Sequence, residues 1–157
     1  MEDPVVMIET RDLSIGYGRR VVGAHLDLRA SPGRVLALLG QNGCGKTTLL
    51  KTILGLLPPL AGEAMLDGAA VRSLPARARA RLVAYVPQVH NGTFAFLVED
   101  VVLMGRIAHR DMFSAPGEAD RRAARDAMER VGVAALRAEP YTGISGGERQ
   151  LVLIARA

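Results

Sequence analysis

At 157 residues the chain has the length of one domain, and 49% hydrophobic content is enough for a core. One cysteine excludes an internal disulfide framework and makes a reducing compartment the default, and the acidic start Met1-Glu2-Asp3-Pro4 lacks the basic-then-apolar order of a signal peptide. The net charge of +4 is spread along the chain as arginine without interleaved aromatics, and no apolar run approaches the ~18 residues of a bilayer span, so neither nucleic-acid binding nor membrane crossing is indicated.

In chain order, Val5 to Glu9 and Leu26 to Arg29 read as strands flanking a turn at Gly16-Tyr17-Gly18. Glycines on both sides present Tyr17 on a loop, where a ring can stack on a base for ~1–3 kcal/mol. Taken alone, a hairpin-tip tyrosine of no consequence is the simpler reading. Arg34-Val35-Leu36-Ala37-Leu38-Leu39 is a short apolar run suited to a buried parallel strand.

Gly40-Gln41-Asn42-Gly43-Cys44-Gly45-Lys46-Thr47-Thr48 follows, fitting the pattern G-x-x-x-x-G-K-[ST]. A Leu-rich helix is expected from Thr47 to Leu57. Strand, glycine loop and helix together aim backbone N–H groups at an anion. Gly40, Gly43 and Gly45 let the backbone approach phosphates, Lys46 can reach the β- and γ-phosphates, and the Thr47 hydroxyl can ligate Mg²⁺. Only two of the 20 basic residues are lysines, yet one stands where a slim ammonium suits better than a guanidinium. This is a nucleotide phosphate site.

Pro58-Pro59 and Gly62 are expected to end the helix, and Ala64 to Val71 reads as a hairpin around Asp67-Gly68. Pro75 opens a short Arg/Ala helix whose arginines are expected in solvent. Leu82 to Val86 is a second buried-strand candidate, stopped by Pro87, with Gln88 at its carboxyl end. Phe94 to Asp100 leads into the apolar helix Val101-Val102-Leu103-Met104, its acidic pair favouring helix initiation.

From Gly117 to Val131 the pattern is amphipathic, with Ala124, Ala127, Met128 and Val131 on one face and Arg122, Asp126 and Arg130 on the other. Last comes Ile144-Ser145-Gly146-Gly147-Glu148-Arg149-Gln150 ahead of an apolar helix: a capping hydroxyl and a second helix N-terminus able to face an anion.

In this order and at this spacing the stretches resemble the nucleotide-binding domain of ABC transporters over nearly the whole chain. GQNGCGKTT resembles the Walker A loop, Tyr17 the adenine-stacking aromatic, Gln88 the Q-loop glutamine and ISGGERQ the signature sequence. Val101 to Arg106 with His109 resembles the ATPases of iron-chelate, haem and cobalamin importers. The chain departs from the family pattern at Ile144, Glu148 and Cys44. It ends at Ala157, before the positions of the Walker B strand, the catalytic glutamate, the D-loop and the switch histidine.

The resemblance implies an α/β fold: a partly parallel P-loop core over 1–88 with an N-terminal antiparallel β segment, a helical subdomain over 89–141, and the signature with its helix over 142–157, truncated at the C-terminus. It implies ATP and Mg²⁺ as cofactors. Gly40 to Thr48 with Lys46 would hold phosphates, Thr47 and Gln88 the metal, and Ser145, Gly146, Gly147 and Glu148 the nucleotide of a second domain packed head to tail. Lys46 and Gln88 are the catalytic residues it leaves within the chain, so hydrolysis is expected only barely above background. Partners would be membrane-spanning permease subunits, met through Phe94 to Arg110, and an extracytoplasmic substrate-binding protein, with the chain on the cytoplasmic face. A non-transport ABC ATPase is the alternative, though no long coiled coil is present. A P-loop kinase or GTPase would leave ISGGERQ unexplained.

Overall fold

The computed structural model describes residues 7–88, 95–110 and 114–157, so the expected strand start at Val5, the boundary at Val89 and Phe94 lie outside the described residues. Contacts divide the chain into two compact units, residues 1–83 and 84–157.

The first unit is built on a four-stranded sheet of order β2-β1-β3-β4, with every pairing antiparallel. Strands β1 (Ile8–Tyr17) and β2 (Arg20–Ala30) form a long hairpin. Its turn is Gly18-Arg19, so Gly16 and Tyr17 belong to the strand, one step before the expected tip. Thr10 is buried and bridges this pair, donating to Leu26 O (2.7 Å) and accepting from Leu28 N (2.9 Å), which satisfies groups beside a break in register. β3 (Ala61–Leu66) and β4 (Ala69–Ala70) turn at Asp67-Gly68, both with positive φ, as expected of Asp-Gly in a tight hairpin.

Helix α1 (Lys46–Ile53) buries Thr48, Leu49, Thr52 and Ile53, a stripe at i, i+1, i+4 and i+5. Leu49 and Ile53 pack with Leu13, Ile15, Ala64, Leu66 and Val71. Each large apolar side chain withdrawn from water there contributes ~1.5–3 kcal/mol. The helix is shorter than expected. Gly55 takes φ of 69°, its N–H reaches Thr52 O (3.0 Å) and Leu56 N reaches Lys51 O (2.8 Å), a glycine-dependent C-terminal motif that stops the helix before Pro58.

Two strand expectations are corrected. Residues 34–39 and 83–88 pair with no strand among the described residues, and Val35 and Leu39 are 98% and 92% exposed. An apolar run of this kind is buried only when neighbouring strands and layers cover both faces, and the described sheet runs entirely antiparallel through other segments. Helix α2 (Ala76–Leu82) brings another correction: Arg79 is not in free solvent but donates from Nη1 to Leu74 O (2.6 Å) and Val71 O (3.4 Å).

The second unit is helical. α3 (Val98–Leu103) has Glu99 and Asp100 in its first turn as expected, and runs into a 3₁₀ segment over Met104–His109. α4 (Glu118–Val131) matches the expected amphipathic helix, burying Ala124 and Met128 with Ala127 and Val131 beside them. On its other face Arg125 pairs with Glu118 (2.6 Å), and among the described residues no ion pair forms within the Arg122-Asp126-Arg130 row. α5 (Gly146–Arg156) contributes Val152 and Leu153 to a core shared with Val98, Val101, Val102, Leu103, Tyr141 and Ile144. That core fixes the start of α5, and with it the Ser-Gly-Gly-Glu sequence.

Candidate functional site: a phosphate loop and a capped helix start

In the first unit the loop of residues 40–45 is turned on glycine. Gly45 (φ 102°) is the N-cap of α1, and a Cβ there would lie 2.6 Å from Val22 Cγ1 on β2, so only glycine lets the loop lie against the hairpin. α1 then begins with no side-chain cap and no acidic residue in its first turn. Lys46 Nζ folds over the loop and donates to Gly40 O (2.7 Å) and Gln41 O (2.8 Å), with Cys44 Sγ at 3.6 Å. An ammonium has three protons, so this contact set closes the loop into a ring around one cation. Gly40, Gln41, Asn42, Gly43, Cys44 and Thr47 are exposed around it.

Thr48 behaves differently. It is buried, and its hydroxyl donates to the Tyr17 hydroxyl at 3.4 Å, while its carbonyl accepts from Thr52 Oγ1 at 3.0 Å. Tyr17 is 51% exposed at the end of β1, with its ring available and its hydroxyl tied to the start of α1. The structure thus brings Tyr17 and residues 40–48 together, and the Tyr17–Thr48 link is one that sequence reading missed. Nothing in the spacing of two residues 31 apart announces it.

The donor set fits a phosphate chain: a lysine ammonium, an uncapped helix N-terminus and a hydroxyl, with no carboxylate in the first turn of α1. No group of three or more His, Cys, Asp or Glu able to hold a metal occurs among the described residues. A Mg²⁺ fits here only with phosphate oxygens in its shell, joined by the neutral oxygen of Thr47, which is an ordinary way for Mg²⁺ to be bound.

In the second unit, Gln88 is exposed at the end of the unpaired segment 83–88. Ser145 caps α5: its Oγ accepts from Glu148 N (3.3 Å), and Glu148 Oε2 accepts from Ser145 N (2.7 Å). The Ser145 hydroxyl and N–H hold the Glu148 carboxyl below its usual range. Glu148 is therefore engaged in the cap, its carboxylate held by the Ser145 N–H and hydroxyl together. Gly146 and Gly147 stand open, with nothing near the place of a Cβ.

Arg149, not singled out from sequence, folds back to donate to Ile144 O (3.0 Å) and Thr142 O (2.7 Å), fixing the turn that leads into the cap. Arg106, in the stretch with an importer-like pattern, donates to Asp120 Oδ1 (3.2 Å) on α4. Burial pushes the Asp120 carboxyl up, but the Gly117 N–H and the guanidiniums of Arg106 and Arg110 outweigh it and hold the group below its usual range. That contact ties the 3₁₀ segment to the helical core.

A family model for the ABC transporter matches residues 24–157. The chain belongs to the ABC transporter family. An uncharacterized ABC transporter ATP-binding protein of Haemophilus influenzae is 40% identical over 153 residues, covering 98% of this chain and 58% of that protein. The hemin import ATP-binding protein HmuV of Gloeobacter violaceus is 46% identical over 145 residues, covering 90% of this chain and 52% of its own. A solved ABC transporter described as of metal-chelate type, in an inward-facing conformation, is 34% identical with a TM-score of 0.79, over 98% of this chain and 55% of that one. The chain thus spans little more than half the length of these ABC transporter relatives. The matched span takes in the phosphate loop and the α5 start; Tyr17 precedes it.

Proposed function

We propose that the chain is the nucleotide-gripping part of the ATP-binding subunit of an ABC importer. The observation that carries the reading is the uncapped start of α1 behind a glycine loop, with Lys46 folded over it. The backbone of Gly43 to Thr47 and Lys46 hold the β- and γ-phosphates of ATP, and Tyr17 stacks on the adenine. Thr47 and Gln88 are assigned to Mg²⁺, which neutralises phosphate charge when bound. Ser145, Gly146 and Gly147 offer one hydroxyl and open backbone to the nucleotide of a second copy packed head to tail, with Glu148 fixing the cap.

Hydrolysis of ATP, coupled to import through separate membrane-spanning permease subunits and supplied by an extracytoplasmic binding protein, is the function proposed for the whole protein at the cytoplasmic face. The relatives' names point to haem or iron-chelate cargo. The exposed residues Phe96, Met104 and Ile107 are the surface assigned to the permease. Fluorescence titration tests the core of the reading. Saturable ATP binding by the purified chain that is lost in Lys46→Ala supports it; equal affinity in the two proteins rejects it.

A further inference from the structure

The first unit holds a second concavity, at the opposite end of α1 from the phosphate loop. It encloses about 310 Å³ and runs between the C-terminal turn of α1, β3 and the segment ahead of α2. Leu57, Pro58, Ala64 and Val71 give it apolar walls, and that volume lies at the lower end of the range of small-molecule sites. Its charged groups are Arg72, Arg79 and Glu63. Glu63 is turned to Arg11 at 3.8 Å, outside the lining. Arg79 is half-buried and meets only the carbonyls of Leu74 and Val71, with no carboxylate partner among the described residues. A Cβ on Gly55 would lie 2.9 Å from its Nε, so the left-handed glycine that ends α1 also makes room for the guanidinium. Arg72 stands exposed at the same cavity and pairs with no acid among the described residues.

Arginine is rarely drawn even partly from water without an acid, and here half-buried Arg79, joined by exposed Arg72, borders an apolar cavity whose one acid, Glu63, is shared with Arg11. We infer that this cavity binds a small amphipathic carboxylate, its apolar body between Leu57, Pro58, Ala64 and Val71 and its charged end at Arg72 and Arg79. α1 separates the two sites by about 12 Å, eight residues at 1.5 Å each. The occupant therefore does not overlap the nucleotide, and the site stands whether or not the phosphate loop has been read correctly.

The test is titration of the ¹⁵N-labelled chain with sodium octanoate, followed by amide shifts. The expected result is saturable movement of Gly55, Ala64 and Val71, unaffected by MgATP. Octanol, with the same chain and no charge, should bind about tenfold more weakly or worse, the loss expected for one charge-assisted contact. Arg72→Glu should weaken octanoate by about tenfold or more and Arg72→Lys by less, both keeping the parent's ATP affinity. Shifts that stay linear to the solubility limit, octanol binding equal to octanoate, or unchanged octanoate affinity in Arg72→Glu would each overturn the assignment.

Discussion

Helices α1 and α5 both begin on glycine-rich sequence, and both present a helix N-terminus where an anion is welcome, but they treat their free N–H groups in opposite ways. α1 starts behind Gly45 with no side chain accepting from its first turn and no acid nearby. α5 starts behind Ser145, which accepts from Glu148 N while Glu148 accepts from Ser145 N. The dipole is of the same kind in both cases, but α5 commits the N–H groups of Ser145 and Glu148 to its own cap, whereas α1 commits none to a side chain. A helix end of that kind gains by binding phosphate, whereas α5 is already satisfied in part and carries a carboxylate that repels one. On the function proposed above, the first unit would grip the nucleotide, and the second unit would add contacts without being able to hold an anion unaided.

The sharpest way to break the comparison is Lys46→Ala. Losing a charge-assisted phosphate contact should cost ~1.5–3 kcal/mol of ATP affinity, read by fluorescence titration. Next is Tyr17→Ala, which should cost ~1–3 kcal/mol if the ring stacks on adenine, with Tyr17→Phe keeping most of the affinity since only the 3.4 Å hydroxyl link to Thr48 is lost. Loss of affinity in Tyr17→Phe as large as in Tyr17→Ala would shift the role from the ring to the hydroxyl.

Ser145→Ala probes the other helix. It should lower stability by ~1 kcal/mol in denaturant unfolding and leave the chain's ATP affinity where it was. A fall in affinity matching that of Lys46→Ala would show that the two helix starts are not divided as described.

The smallest effect concerns pH. The Glu148 carboxyl is held below its usual range by Ser145, so the folded state favours its charged form. A depressed carboxyl stabilises fully above its unfolded value, and that contribution disappears as pH falls through the folded value. The melting difference between the parent and Glu148→Ala should therefore be present at neutral pH and vanish in strong acid. A difference that persists unchanged in acid would remove the ionised carboxylate from the cap.

These features were not equally legible in the sequence. The glycine loop ahead of α1 could be read because its conformation is local: positive-φ glycines and a helix start within nine residues need no distant partner. The Asp67-Gly68 hairpin and the amphipathic α4 were readable for the same reason, since turn dihedrals and a helical period are set by neighbouring residues. What failed depended on partners. Residues 34–39 read as a buried strand, but burial belongs to the layers on either side, and Val35 and Leu39 lie open. The early stop of α1 could have been seen in Gly55, a residue suited to a left-handed helix end, which the more conspicuous Pro58-Pro59 overshadowed. Arg79 and Arg149 turn back to carbonyls of their own segments, and no periodicity in sequence distinguishes such an arginine from one pointing into water.

Cys44 offers the most direct test of where the phosphates lie. It is the chain's one cysteine, exposed on the loop with its sulfur 3.6 Å from Lys46 Nζ. Its maleimide labelling should be followed over time with and without MgATP. MgATP should slow labelling markedly, because a nucleotide on the loop covers the thiol, and ATP binding should be lost once the label is attached. Identical rates in the two conditions would contradict this, placing the nucleotide elsewhere than on the start of α1.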